Sequence, residues 1–209
     1  MGALMLVHGL AHGVLVGHSY AGLVISKAAA ERPDVQHLVY VAAMLVDGGD
    51  VYLKRMREFP AAPINDEVEL TADGNLLVRP ETAVGCFYNE CDKGEAADAA
   101  RRLRPSAAAG LSVSTGAEPW RAIPSTYVLC LRDRAIHPDF QSWMSARAGA
   151  VVTLDTDHSP FMSSAEQFAD LLDGIAARRT PVQPPETAGL MDTIEPAGLM
   201  RGSEFTGTA

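Results

Sequence analysis

Hydrophobic positions in this chain fall into short runs, and the runs alternate between a strand-like and a helix-like period. Val14-Leu15-Val16 is an apolar run that ends at Gly17. After Ser19, the stretch from Tyr20 to Arg32 carries Ala, Leu, Val, Ile and Lys until Pro33 stops it. The pattern predicts a strand, a tight turn and a helix. His37 to Ala43 is β-branched and aromatic-rich, which predicts a second buried strand in a βαβ unit and hence a parallel sheet.

From Met44 to Pro124 the periodicity dissolves into mixed polar sequence punctuated by Gly and Pro. It holds one predicted helix at Gly94 to Leu103 and one hairpin around Asp73-Gly74-Asn75. Order returns with a predicted strand at Ser125 to Leu131, a helix at Pro138 to Arg147, a strand at Val151 to Leu154 and a helix at Ala165 to Arg178. The expected organisation is an α/β core from 1–43 and 125–179, a cap insertion at 44–124, and a flexible tail at 180–209. The tail holds only the near-repeat Glu186 to Met191 and Glu195 to Met200.

Composition narrows the function classes. With 209 residues, 47% hydrophobic and 21% charged, the chain can bury a core, and its length suits one domain plus an addition. Lys and Arg total 17 against 26 Asp and Glu, a net charge of −9 with no basic stripe, which argues against nucleic acid and anionic membrane surfaces as partners. No apolar run approaches the roughly 20 residues of a membrane span. Met1-Gly2-Ala3 leads into Leu4 to Val7 without a basic region or cleavage site, so a cytoplasmic location is the expectation. Cys86, Cys91 and Cys130 lack a CxxC spacing; reduced thiols are expected, with a Cys86–Cys91 bridge as the alternative.

The sharpest chemical signal is Gly17-His18-Ser19-Tyr20-Ala21-Gly22 between a strand and a helix, close to the G-x-S-x-G nucleophile elbow. Small residues at −2 and +2, here Gly17 and Ala21, leave room for a strand to reverse into a helix. A serine at that place also serves as a plain helix cap, but the strand before it and the helix after it favour the elbow. A serine nucleophile needs an imidazole and a carboxylate that orients it, and in such folds they follow in the order Ser, acid, His. Asp133 follows the strand ending at Leu131, and His158 follows the strand ending at Leu154. Asp133 also reads as a loop carboxylate paired with Arg132 or Arg134, and Asp47, Asp155 and Asp157 are rivals near the same chemistry.

Backbone amides of Leu10 and Tyr20 are the candidate oxyanion donors. His8 and His12 stand at a helical metal-ligand spacing, but Gly9 and Gly13 argue against a helix, so neither a metal nor a cofactor is expected. His37 and His137 read as structural or exposed.

Four stretches together resemble a known family: Leu6 to Gly13, Val14 to Gly22, Asp133-Arg-Ala-Ile-His-Pro-Asp-Phe-Gln141 and Asp157-His158-Ser-Pro-Phe161. They are similar to α/β-hydrolases of the plant methylesterase and hydroxynitrile lyase branch and their bacterial relatives, over most of residues 4 to 178. The resemblance implies an α/β-hydrolase fold, a mostly parallel sheet flanked by helices and a cap insertion. It also implies Ser19 as nucleophile, Asp133 as acid, His158 as base and His8 to Leu10 as the oxyanion loop.

Cyanohydrin-cleaving members carry Thr after the first loop His and Lys after the catalytic His, where this chain has Gly9 and Ser159, so hydrolysis of a small or aromatic carboxylic ester is the expectation. A non-catalytic ligand-binding protein and a hydroxynitrile lyase are the alternatives. The substrate pocket is expected from His8, Gly9, His18, Trp120 and Phe161, with Met44, Met56, Phe59, Phe87 and Tyr88 as further lining that also suits a cap's own small core.

Relative to that family the chain looks internally deleted, because Gly13 abuts Val14 where two crossovers would stand. A parallel connection needs about a dozen residues, and His8 to Gly13 supplies six. Leu4 to Val7 should therefore form an antiparallel hairpin, lie disordered, or join the sheet of a second molecule, giving an N-terminally truncated fold and a homo-oligomer. Loss of one oxyanion donor costs about 10² to 10³ in kcat. The expected outcome is a weak esterase that associates through its sheet edge; a monomer by sedimentation, turning over rapidly, would contradict it.

Overall fold

The computed structural model describes residues 13–32, 34–112 and 114–178. The expectations for Leu4 to Val7, His8, Gly9, Leu10, His12 and the 180–209 tail therefore lie outside the described residues.

The first unit is β1 (Val14–His18), a turn at Ser19 and Tyr20, α1 (Ala21–Ala30) and β2 (His37–Val41). Helix α1 buries Gly22, Leu23, Ile25, Ser26, Ala28 and Ala29. That small-residue face lets the helix lie close to the sheet. Its regular part stops before the predicted Arg32 because Glu31 N and Arg32 N turn back onto Ala28 O and Ala29 O at 3.2 and 3.1 Å.

The segment between Met44 and Pro124 is more structured than its sequence suggests. It contains α2 (Tyr52–Met56), β3 (Val68–Leu70), β4 (Asn75–Val78), α3 (Pro80–Phe87), α4 (Lys93–Arg102) and β5 (Ser106–Ala107). Strands β3, β4 and β5 make a small antiparallel sheet in that order. The turn between β3 and β4 has Gly74 at φ +79°, a conformation open to glycine, so the Asp73-Gly74-Asn75 signal is where the hairpin reverses. Helix α4 begins where Asp92 Oδ1 accepts from Gly94 N and Glu95 N at 2.8 and 3.2 Å. Helices α2 and α3 span 5 and 8 residues, too short to display a period, so the hydrophobic pattern does not predict them.

The chain then adds β6 (Ser125–Cys130), α5 (Pro138–Ser145), β7 (Ala150–Leu154), α6 (Pro160–Ser163) and α7 (Ala165–Ala177). Strands β1, β2, β6 and β7 lie side by side in that order, all parallel. Side chains alternate between the faces of this sheet. Leu38, Tyr40 and Tyr127 point into one core with Leu23, Ile25, Phe140 and Met144. Val39, Val41 and Val128 point into the other with Leu154, Phe168 and Ile175. Burial on both faces explains why β2 and β6 read as unbroken apolar runs. Among the described residues no helix is long and apolar enough to cross a membrane.

All four strands run the same way, so the segments leaving their C-terminal ends meet along one edge. Ser19 follows β1, Ala42 follows β2, Asp133 follows β6 and His158 follows β7. The approach of α1 to the segment after β2 is the tightest constraint here: a Cβ on Gly22 would collide with Met44 O and stand 3.0 Å from Ala43 Cβ. Gly22→Ala should therefore destabilise the fold by about 1–3 kcal/mol, read as a lower Tm by circular dichroism. An unchanged Tm would show that α1 can slide without loss.

Candidate active site

The turn after β1 is a strained elbow. Ser19 sits at φ 53°, left-handed backbone that a residue with a Cβ adopts at a cost of about 1–3 kcal/mol. Three hydrogen bonds hold it there: Ser19 N donates to Val41 O at 3.1 Å, and Ser19 O accepts from Gly22 N at 3.1 Å and Met44 N at 3.0 Å. Ala42, itself at φ 41°, bends the chain after β2 so that Met44 can reach Ser19. The small residues that the sequence placed around Ser19 prove to be unequal. A Cβ at Gly17 would meet Ala21 O at 2.8 Å and Ile25 Cδ1 at 2.9 Å, and Gly22 rather than Ala21 carries the severest restriction on the other side.

Asp133 and His158 are brought together. His158 Nδ1 lies 2.7 Å from Asp133 Oδ2, and the two residues are 1% and 5% exposed. The other bonds to this carboxylate come from Ala135 N and Ile136 N on Oδ1, at 2.7 and 2.9 Å, and from Gln141 Nε2 on Oδ2 at 2.8 Å. A carboxylate buried in a dry site is tolerated only with donors arranged around it in this way.

Gln141, fully buried on α5, also donates to Ile136 O at 2.9 Å and accepts from Cys130 N at 3.1 Å. It thereby ties the Asp133 turn to the end of β6. The sequence assigns Gln141 no task; the signal it offers is one polar residue set between Phe140 and Met144 in the helix predicted from Pro138.

His18, one residue before Ser19, connects the elbow to the His158 loop. Its Nε2 lies 2.8 Å from His158 O, which makes Nε2 the protonated nitrogen. Its ring stands 4.5 Å from the His158 ring and 5.0 Å from Phe161. Burial, and then the nearby His158, push the His18 pKa down from 6.5 to about 3. Phe87 covers another part of His158, centroid to centroid 5.4 Å. Phe161 and Tyr20 are each 41% exposed, giving the site an apolar rim. Among the described residues Ser19 Oγ makes no hydrogen bond to His158 Nε2.

The remaining candidates separate by environment. Asp47 binds Arg147, with Nε and Nη2 at 3.1 and 2.8 Å, and that pairing holds its carboxyl below the usual range. The Arg147 guanidinium in turn lies 3.7 Å above the Trp143 ring. Asp155 is exposed and paired with Arg132 at 2.6 Å. Trp120 is buried in the larger core with Met44, and Met56 and Phe59 pack against that core. His137 Nδ1 accepts from Asp139 N at 3.2 Å at the start of α5, and His37 Nε2 lies 2.9 Å from Thr126 Oγ1. The three cysteines are free thiols.

Residues 3–171 match the model of the Alpha/beta hydrolase family. The alpha/beta hydrolase nvfD of Aspergillus novofumigatus (strain IBT 16806) is 29% identical over 177 residues, covering 78% of this chain and 69% of that protein. Among solved structures, a pyrethroid hydrolase from Sphingobium faniae JZ-2 superposes with a TM-score of 0.72 at 24% identity, covering 84% of this chain and 75% of that one. A methylesterase from Arabidopsis gives 0.63 at 21% identity, covering 78% and 69%. These two similarities are of fold.

The neutral, buried His18 makes stability depend on pH. Its folded pKa lies below its unfolded value, so the unfolded chain binds the extra proton, and stability falls as pH drops from about 6.5 toward 3. The slope from this one group reaches about 1.4 kcal/mol per pH unit. Urea unfolding at stepped pH should show a shallower acid-side loss in His18→Gln than in the parent chain; identical slopes would mean that His18 is solvated and titrates freely.

Proposed function

The chain belongs to the alpha/beta hydrolase family, and from that premise we propose that it is a serine carboxylesterase using Ser19, Asp133 and His158. The observation that carries this reading is the buried 2.7 Å bond between Asp133 and His158, joined through His18 to a strained elbow that presents Ser19. The names of the structural neighbours, pyrethroid hydrolase and methylesterase, point the same way.

The mechanism follows from the roles of the three groups. Ser19 Oγ attacks the ester carbonyl carbon while His158 Nε2 takes the hydroxyl proton. Asp133 holds Nδ1–H and stabilises the imidazolium without itself taking the proton. The C–O bond to the alcohol breaks, His158 protonates the leaving oxygen, and an acyl-Ser19 ester remains. Water, activated by the same imidazole, hydrolyses it and returns Ser19. Tyr20, as the N-cap of α1, carries an amide that the helix cannot satisfy, and this amide is the proposed oxyanion donor. Leu10, the second proposed donor, lies outside the described residues.

The aromatic surfaces of Phe87, Phe161 and Tyr20 favour an uncharged ester with a small or aromatic group. Ser159, where cyanohydrin lyases have Lys, offers no cation for a leaving cyanide, so hydrolysis is favoured over lyase chemistry.

A panel of p-nitrophenyl esters followed by stopped flow tests the assignment. The parent chain should release an initial burst of nitrophenolate, and Ser19→Ala should abolish turnover while keeping the parent's circular dichroism. Asp133→Asn should lower kcat by about 10⁴, whereas Asp47→Asn, which breaks the ion pairs with Arg147 and Arg121 away from the site, should keep kcat within a few fold. Turnover persisting in Ser19→Ala would remove the nucleophile assignment. Tight ligand binding without turnover by the parent chain would favour a binding protein instead.

A further inference from the structure

Asp157 is the second buried carboxylate beside His158, and the reaction as derived leaves it unused. Its exposure is 0%, yet both oxygens are engaged. Oδ1 accepts from Ser159 N at 3.0 Å and Ser163 Oγ at 2.7 Å, bonds local to the loop that carries His158. Oδ2 accepts from Glu90 N at 2.9 Å and Cys91 Sγ at 3.5 Å, bonds that reach the turn between α3 and α4. Phe87, whose ring covers His158, is the last residue of α3, immediately before that turn. Asn89 Nδ2 also donates to Arg132 O at 3.3 Å, and the Glu90 carboxylate pairs with Arg132 at 3.0 Å. Those two contacts are exposed and contribute little, whereas charge-assisted bonds to a buried carboxylate are strong.

We propose that Asp157 is a positioning residue that couples the cap turn at 88–91 to the His158 loop and so sets how closely the Phe87 wall approaches the reacting ester. The selectivity part of this proposal rests on the esterase reading; the coupling itself does not. One carboxylate spans two chain segments, with a fixed backbone N–H on each side. An amide in its place has a single acceptor oxygen and an NH2 group. Whichever way that amide turns, one of the two backbone N–H groups faces another donor, and the link between the loops is cut.

Two readouts on Asp157→Asn test this. Burial, and then Asp157, push the Cys91 thiol up to about 12, while Cys86 and Cys130 are buried. Removing the carboxylate and releasing the turn should raise the rate of iodoacetamide alkylation by about tenfold or more, with mass spectrometry finding the label on Cys91 alone. On esters, kcat/KM for a bulky aromatic ester should fall about tenfold more than for p-nitrophenyl acetate, mainly through KM. Cys91→Ser, which keeps a donor, should retain the parent's ratio between the two esters.

Unchanged Cys91 labelling in Asp157→Asn would overturn the coupling, as would labelling of all three cysteines together, which is the mark of general unfolding. An equal fall on both esters would overturn the positioning role. A parent chain that hydrolyses neither ester would sink the esterase reading, and the labelling result would then decide the coupling alone.

Discussion

The left-handed backbone at Ser19 is the constraint around which the rest of the site is arranged. A serine held at φ 53° presents its hydroxyl at the sharp reversal between β1 and α1, and that conformation persists only while its surroundings enforce it. Val41 O, Gly22 N and Met44 N supply the enforcement. Each demands something of its own neighbourhood: β2 must lie directly beside β1, Gly22 must lack a side chain, and Ala42 must accept its own positive φ so that Met44 can turn inward. Nearly the whole first βαβ unit thus serves one dihedral angle.

The opposite wall follows a different principle. Asp133 and His158 are both buried, and a buried carboxylate is tolerated only when donors surround it. Here Ala135, Ile136, Gln141 and His158 do so, and Gln141 adds a brace to β6. His18 joins the two walls by binding the carbonyl of His158, and its depressed pKa keeps it neutral, so no second positive charge competes with an imidazolium on His158. Under the proposed reading this is useful electrostatics: the only cation formed during turnover is the one that Asp133 is placed to stabilise.

Two acidic residues two positions apart on the His158 loop have opposite fates. Asp155 pairs with Arg132 in solvent, while Asp157 is sealed between the loop and the 88–91 turn. Burial, not sequence proximity, separates an exposed ion pair from a structural anchor.

Much of this was legible in the chain itself. The apolar runs at Val14, His37, Ser125 and Val151 predict the four described parallel strands; the central pair, β2 and β6, is buried on both faces and so leaves few polar positions, while β1 and β7 at the edges stay partly exposed. The Gly17 to Gly22 turn marks Ser19, because a reversal from strand to helix tolerates few side chains. Spacing alone left Asp47, Asp133, Asp155 and Asp157 as competing carboxylates, since any loop aspartate after a strand fits the pattern. Only the folded chain separates them: Asp47 meets Arg147, Asp155 meets Arg132, Asp157 meets Glu90 and Cys91, and Asp133 meets His158. The same holds for Gln141 and for the short helices of the 44–124 segment. Local pattern determines which residues form strands and turns because those are interactions between near neighbours, whereas the partner of each of these carboxylates is chosen by packing between positions 23 to 100 residues apart, and no local period records it.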